Sequence, residues 1–343
     1  MTILIAIVTI AILILFHEIG HFLAARRIGI PVYEFGVGFG PKIVSWRKNE
    51  VNYSIRVFPL GGFVRMAGEE PGDQSDPQGY SHRTPLEKIR VSFAGPFMNF
   101  VLAVLIFIYS YAFIGIPVTT DEPIIGMVFD GQPAQQAGIK SGDRILSVEG
   151  EAVSTWQEFT ALLTAEPPGE LVAIQIERNG QTALIEVIPE ANSSTGLAII
   201  GVASNIAYEK QGLLTAVTIG LQQTYQLTIA LLGGLWIMIS GGASAADIAG
   251  PVGIVGLLGD AAQVGTVYLL SFAAFLSINL GILNLLPIPA LDGSRIVFAL
   301  IEAVRRKPLQ PEKEGFIHWL GFLFLMGIIV LVTFNDIMRF IKG

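Results

Sequence analysis

Residues 3–25 read ILIAIVTIAILILFHEIGHFLAA, and the fold turns on that stretch. Residues 3–16 carry no charge, and apolar character resumes at Leu23 after a short polar interruption. A bilayer span needs about 20 residues, so Thr2–Ala25 suffices only if it includes that interruption. A secretory leader is the competing reading. It wants a basic stretch ahead of its apolar run, whereas Arg26 and Arg27 lie behind this one. The stretch reads as a first membrane span.

The rest of the chain agrees. Of 343 residues, 52% are hydrophobic and 14% charged, with a mean hydropathy of +0.61. Soluble domains carry about 25% charged residues, so a soluble protein and a disordered one are both excluded. A net charge of -7 gives no support to nucleic-acid binding. Cysteine is absent, which removes disulfides, thiolate metal sites and a cysteine nucleophile. Further spans are expected at Val91–Ile116, Val267–Leu286 and Ile317–Ile337. Leu213–Ile239 is also apolar, but Gln222, Gln223, Gln226 and Gly233–Gly234 interrupt it, leaving a fifth span or an interfacial helix open.

Charge orients the spans. Between Arg26 and Arg90 there are ten basic and seven acidic residues, and four basic residues fall in Arg305–Lys313. Between Pro117 and Gly212 there are four basic and thirteen acidic residues. By the positive-inside rule the two basic loops are cytoplasmic and the acidic segment lies outside. Four spans then put both termini outside, and a fifth would put the basic 305–313 loop on the wrong side.

The acidic segment has the pattern of a folded domain, expected over 117–190. Strand alternation marks Arg144–Val148, Leu171–Ile176 and Ala183–Ile188, the last two joined by an Asn179–Gly180 turn. Short helices are expected at Pro133–Ala137 and Trp156–Thr164. Residues 133–145, PAQQAGIKSGDRI, resemble the PDZ signature PAxxAGxxxGDxI of bacterial envelope proteases at all seven fixed positions. The resemblance implies an α+β, sandwich-like domain with a groove that takes a peptide as an added strand. It also implies a carboxylate-binding loop near Ile124, Ile125, Gly126 and Met127. A folded spacer that only filters by size is the alternative.

His17-Glu18-Ile19-Gly20-His21 is an HExxH motif. Positions i and i+4 share a helix face, so both imidazoles reach one ion, and Glu18 stands where it can take a proton from metal-bound water. Ionisable groups at membrane depth cost roughly 2.5–3.5 kcal/mol each and face an interior for a reason. Arg26 follows nine residues later, placing the pair roughly 13 Å below the cytoplasmic end. A catalytic zinc site usually has three protein ligands. Asp247, Asp260, Asp292, Glu302, His318 and Asp336 are candidates for the third. Asp292 stands out, because Pro287 and Pro289 break the third span just ahead of it, and broken backbone at that depth must line a cavity or be buried in protein. His318 is the main competitor by ligand type. Gly36–Gly40 (GVGFG) is not a nucleotide loop, since no βαβ unit follows.

HEIGH, Gly95-Pro-Phe-Met-Asn99 and residues 284–293, NLLPIPALDG, taken in that order around the PDZ signature, closely resemble the site-2 protease family of intramembrane zinc metalloproteases. Within it the chain looks most like the regulator-of-sigma-E protease branch, with one PDZ domain rather than two. The resemblance implies a polytopic α-helical membrane protein with a membrane-re-entrant β-hairpin, formed by Phe39–Ser45 and Val51–Val57, and an inserted extracytoplasmic PDZ domain. It divides the chain into a membrane part (1–116), that domain (117–190), an amphipathic linker (191–264) and a second membrane part (265–343). It implies Zn2+ held by His17, His21 and Asp292, Glu18 as general base, and Asn284, Gly61 and Gly62 as substrate-binding. It also implies single-span membrane protein substrates, such as anti-sigma factors or leftover signal peptides, in a bacterial cytoplasmic membrane. A catalytically silent PDZ scaffold would need neither HEIGH nor LDG. A metal transporter would spread its ligands between both membrane faces.

Overall fold

The computed structural model describes residues 2–69, 73, 76–192, 195–242 and 249–342. It divides into two compact units, one of Met1–Phe113 with Gln211–Gly343, the other of Ile114–Lys210.

In the first unit, helix α1 (Thr2–Ile28) holds HEIGH in its second half and ends at Gly29, whose φ of 84° no ordinary side chain favours. Strands β1 (Val32–Lys48) and β2 (Val51–Met66) pair antiparallel around Asn49–Glu50, both at positive φ as a type I′ turn requires. The register shows more than a simple hairpin. Glu34–Val37 pair with 62–65 on one side and, in ascending order, with 52–55 on the other. The expected pairing of 39–45 with 51–57 is therefore the outer part of a longer, twice-folded sheet. Its far half exposes Phe39, Ile43, Val44, Trp46, Val57 and Phe58. Glu34 ties its segments together, accepting from Ser54 Oγ at 2.7 Å, Arg56 at 2.9 Å and Lys42 at 3.0 Å. Burial would raise the Glu34 pKa, but these donors outweigh it and hold it at about 2.

Helix α2 (Pro85–Tyr109) opens on a capping box, Thr84 with Glu87, and closes in a π turn through Ile114. It packs against α1 where both lack side chains: a Cβ on Gly20 would sit 2.2 Å from the Ala94 carbonyl. Small residues bring helices together where lipid supplies no hydrophobic drive.

The second unit contains β3 (Ile116–Thr119), β4 (Ile125–Val128), α3 (Pro133–Gln136), β5 (Arg144–Val148), β6 (Glu151–Ala152), α4 (Trp156–Ala165), β7 (Val172–Arg178), β8 (Gln181–Val187), β9 (Glu190–Ala191), β10 (Ala198–Ile199), β11 (Val202–Ser204) and β12 (Ile206–Glu209). Its main sheet runs β6-β5-β7-β8, with Asn179–Gly180 at positive φ between β7 and β8. Ile125, Ile145, Phe159, Val172, Ile174, Ile176 and Ile200 fill the core. The domain extends beyond the expected boundary at 190. Strand β10 pairs with β9, β11 with β4 and β12 with β3, so the chain closes onto its own first strands before leaving at Lys210. Residues 191–210 are thus part of the domain, and the expected linker over 191–264 is no single element.

The chain re-enters the first unit with α5 (Leu213–Ile239), α6 (Pro251–Val264), α7 (Thr266–Leu285), α8 (Asp292–Arg305) and α9 (Pro311–Lys342). Among the described residues, four helices are long and apolar enough to cross a membrane: Thr2–Ile28, Pro85–Ile114, Thr266–Leu285 and Glu312–Met338. The glutamine-interrupted α5 is not among them. It buries a stripe of Ala216, Gly220 and Thr224, with Gly220 against Phe107 and Ile108 of α2. Asp336 of α9 accepts the Gly250 and Gly253 N–H groups and so caps α6.

Candidate metal centre

Helix α1 carries His17 and His21 on one buried face. Pro287 and Pro289 end α7, and the chain turns through 286–291 so that Asp292 opens α8 facing them. Gly293 makes this return possible, since a Cβ there would meet the Leu285 and Leu286 carbonyls at 2.2–2.3 Å. Asp292 Oδ2 lies 3.1 Å from His17 Nε2 and 3.3 Å from His21 Nε2, and the two Nε2 atoms are 3.1 Å apart. Ligands about 2.05 Å from a tetrahedral zinc ion lie roughly 3.3 Å from one another, so this triangle fits one face of such a site. Among the described residues it is the one cluster of this kind.

The surrounding groups select the right tautomers. His21 Nδ1 donates to the Val91 carbonyl at 2.8 Å, which leaves its Nε2 lone pair for a metal. Its ring lies on Gly95, where a Cβ would come within 2.2 Å. Asn99, wholly buried, has Nδ2 at 3.2 Å from His17 Nδ1, and its Oδ1 has no partner. Turned over, the amide presents Oδ1 to His17 Nδ1–H, which again frees Nε2 for a metal. The orphaned oxygen is thus accounted for by a metal-binding His17. Both fixed residues of the GxxxN segment act on the histidines, one through space and one through a hydrogen bond.

Glu18, Asn284, Asp292 and both histidines line a 290 Å³ cavity with Phe63, Val64, Met66, Glu69 and Arg295. Gly62 packs against Glu18, where a Cβ would lie 3.0 Å from the Glu18 Cγ, and Gly61 sits beside the Phe39 ring at a φ of 136°. Asn284 donates to the Leu280 carbonyl at 3.0 Å. Arg295, unremarked in the sequence, is held by Glu69, which outweighs burial and raises its pKa. Its position three residues after Asp292, on the same helix face, is the signal that could have found it. Arg295 and Glu69 also wall an 810 Å³ cavity lined by Lys88, Glu302 and His318.

The other ligand candidates go elsewhere. Glu302 pairs with Lys88 at 2.7 Å, His318 accepts from the Ala290 N–H, Asp336 caps α6 and Asp260 is exposed. Asp247 lies outside the described residues. In the inserted unit a 470 Å³ groove runs between α4 and residues 198–202, lined by Phe129, Trp156, Phe159 and Leu163. Ile124, Ile125, Gly126 and Met127 do not line it. Ile125 is buried in the core, Gly126 abuts the Ser204 carbonyl, and Ile125 and Met127 pair with β11. Residues 198–202, which border the groove, fall within the expected linker.

Residues 5–328 match peptidase family M50. The chain belongs to that family. The zinc metalloprotease RasP of Geobacillus kaustophilus is 36% identical, with 97% of each chain covered. The regulator of sigma-W protease RasP of Bacillus subtilis is 34% identical, with 98% of each covered. The PDZ domain of an SdrC-like protein of Listeria monocytogenes matches at 25% identity with a TM-score of 0.23, covering 26% of this chain and 93% of that domain. This M50 peptidase is a zinc metalloprotease of the site-2 type.

Proposed function

We propose that the chain cuts single-span membrane proteins within the bilayer, using His17, His21 and Asp292 to hold zinc and Glu18 to move the proton. The observation that carries this is the ligand triangle beside Glu18, set in a helix otherwise fit for lipid. Bound zinc supplies a Lewis acid for the scissile carbonyl and a water of lowered pKa. Glu18 takes the proton of the attacking water and passes it to the leaving nitrogen. A helical substrate hides its carbonyl, so it must unwind. Residues 62–66 have a sheet partner on one side and border the cavity on the other, which suits them to pair with the freed backbone. Gly62 lets that edge approach Glu18, Gly61 supplies the positive-φ bend beside Phe39 just before it, and Asn284 is available to the substrate backbone or the oxyanion.

The regulatory name of the Bacillus subtilis relative supports membrane-anchored regulators, such as anti-sigma factors, as the substrate class. Charge supports a bacterial cytoplasmic membrane with the metal near the cytoplasmic face and the inserted PDZ domain outside. Four crossings also fit the packing. The Gln211 N–H reaches the Tyr111 carbonyl, and Tyr111 shares a cavity with Tyr268 and Phe272. Helices α5 and α7 therefore start at one end of α2, and an even number of crossings separates them. In the PDZ domain the apolar groove suits a peptide's carboxyl end, while the domain's bulk suits size filtering.

The test uses purified protein in detergent with a single-span substrate. Glu18→Gln should retain zinc and reduce cleavage by about 10³-fold or more. Near-normal cleavage would refute the mechanism. Single cysteines at Gln310 and Glu170 should label from opposite faces of the membrane.

A further inference from the structure

The loop that delivers Asp292 is tied down from outside itself. Its backbone donors can be followed one by one. Leu286 donates to Leu283, Ile288 to Leu286 and Leu291 to Ile288, while Pro287 and Pro289 have no N–H. Ala290 remains, and its N–H goes to His318 Nδ1 of α9 at 3.0 Å. Ala290 also stands at a φ of 78°, a left-handed conformation that L residues rarely adopt. The ring of His318 is set edge-on to Phe298 of α8 at 5.5 Å. One turn further along α9, Gly321 admits the loop, since a Cβ there would come within 2.3–2.4 Å of Pro289. Only 6% of the span in α9 is buried inside the protein, so these contacts are a local exception on a lipid-exposed helix.

Building on the metallopeptidase reading, we propose that His318 is a positioning residue: by accepting the Ala290 N–H it holds the left-handed turn that aims Asp292 at His17 and His21. A metal ligand two residues beyond a strained position keeps its direction only while something fixes the strain. The side chain needed for this is an acceptor, not a base. His318 is thus a sequence competitor of Asp292 that serves it instead.

The experiment measures equilibrium zinc affinity of the full-length protein in detergent by competition with a chromophoric chelator, alongside kcat and KM. His318→Phe keeps the ring and loses the acceptor. It should weaken zinc binding about 10- to 100-fold and lower kcat with KM little changed. His318→Asn places Oδ1 near the former Nδ1 and should stay within about threefold of the parent protein. Ala290 has an exposed side chain, so its substitution tests the turn without disturbing the packed helices. Ala290→Val, which resists positive φ, should weaken zinc binding as His318→Phe does. Ala290→Gly should relieve most of the loss in the His318→Phe background. Unchanged zinc affinity in both His318→Phe and Ala290→Val would overturn the proposal, as would His318→Asn behaving like His318→Phe. Should His318→Phe not fold, Ala290→Val decides alone. If the parent protein binds no zinc, the metallopeptidase reading itself falls. If the parent binds and the variants bind equally, the positioning role alone falls.

Discussion

On α9 the side chains of Phe316, Trp319, Leu320, Phe324 and Leu331 are exposed, while β7 of the inserted domain buries Val172, Ile174 and Ile176 in alternation. The membrane unit buries His17, His21, Lys88, Asn99, Glu302 and Asp336; in the inserted domain Asp143 is the buried charged residue among those described. The two regions follow opposite rules because their solvents differ. Water drives apolar side chains into the domain's core. Lipid gives leucine no reason to hide, so the membrane unit is held by close glycine contacts and polar pairs. A buried polar group accordingly means different things in the two places. In the domain it is architecture. In the membrane unit it is chemistry at His17 and His21, while Glu34 and Asp336 replace with polar ties the framework that apolar burial gives the domain.

The strongest way to break that contrast is to remove a metal ligand. His21→Ala should abolish zinc binding and lower cleavage at least about 10³-fold, because two remaining ligands do not hold a catalytic ion. The inserted domain, with its own core, should keep its proteolysis resistance. If the domain unfolds with the metal, the two regions are not built independently.

Next in size is a charge on a lipid-facing site. Phe324, 62% exposed near the middle of its span, should cost about 3 kcal/mol in membrane insertion when changed to Lys. The fraction of chains inserted by a translocation assay reads this directly. Full insertion of Phe324→Lys would mean that α9 faces protein or water rather than lipid.

These contrasts also explain what the sequence made legible. HEIGH could be read because two histidines four apart share a helix face, and Asp292 because prolines inside an apolar run must break it. Local pattern sufficed for β5, β7, β8 and both short helices. The last part of the inserted domain was not legible, because β11 and β12 pair with strands some 75 to 90 residues earlier and their own stretch reads like a linker. The same gap misplaced the groove: the PDZ resemblance implies a binding loop at Ile124–Met127, but their register against β11 puts Ile125 in the core. Lys88–Glu302 and the bond to His318 join residues far apart in the chain, and no spacing rule points to them; Arg295 is marked by its place one turn after Asp292, but nothing local pairs it with Glu69.

A smaller effect is expected inside the domain. Asp143 accepts from Arg178 Nε and Nη2, both at 2.6 Å, and from the Lys140 N–H. Burial would raise its pKa, but these donors outweigh it and lower it. Stability from such a carboxylate is fully present above its ordinary value near 3.8 and is lost as pH falls through the lower folded value. Asp143→Asn should therefore cost about 2 kcal/mol at neutral pH, less than a fully buried pair because Arg178 is one-third exposed. It should also flatten the domain's acid sensitivity below pH about 4. An unchanged acid profile would assign that sensitivity to other groups.

The smallest expected effect is the most pointed counterpart to Phe324→Lys. Leu184 on β8 is 67% exposed, about as open as Phe324, so by exposure alone the two sites are alike. In water a single exposed leucine has little apolar contact to lose, and lysine leaves its charge solvated, so Leu184→Lys should change the domain's stability by less than about 0.5 kcal/mol. Its cross-strand neighbour Gln175 is uncharged and brings no repulsion. Thermal melting and limited proteolysis of the domain in the full chain should both be unchanged, and so should zinc binding and cleavage of a trimmed substrate. A cost approaching that of Phe324→Lys would mean that this face of β8 meets lipid or a covering surface, and the domain would then share the solvent of the membrane unit.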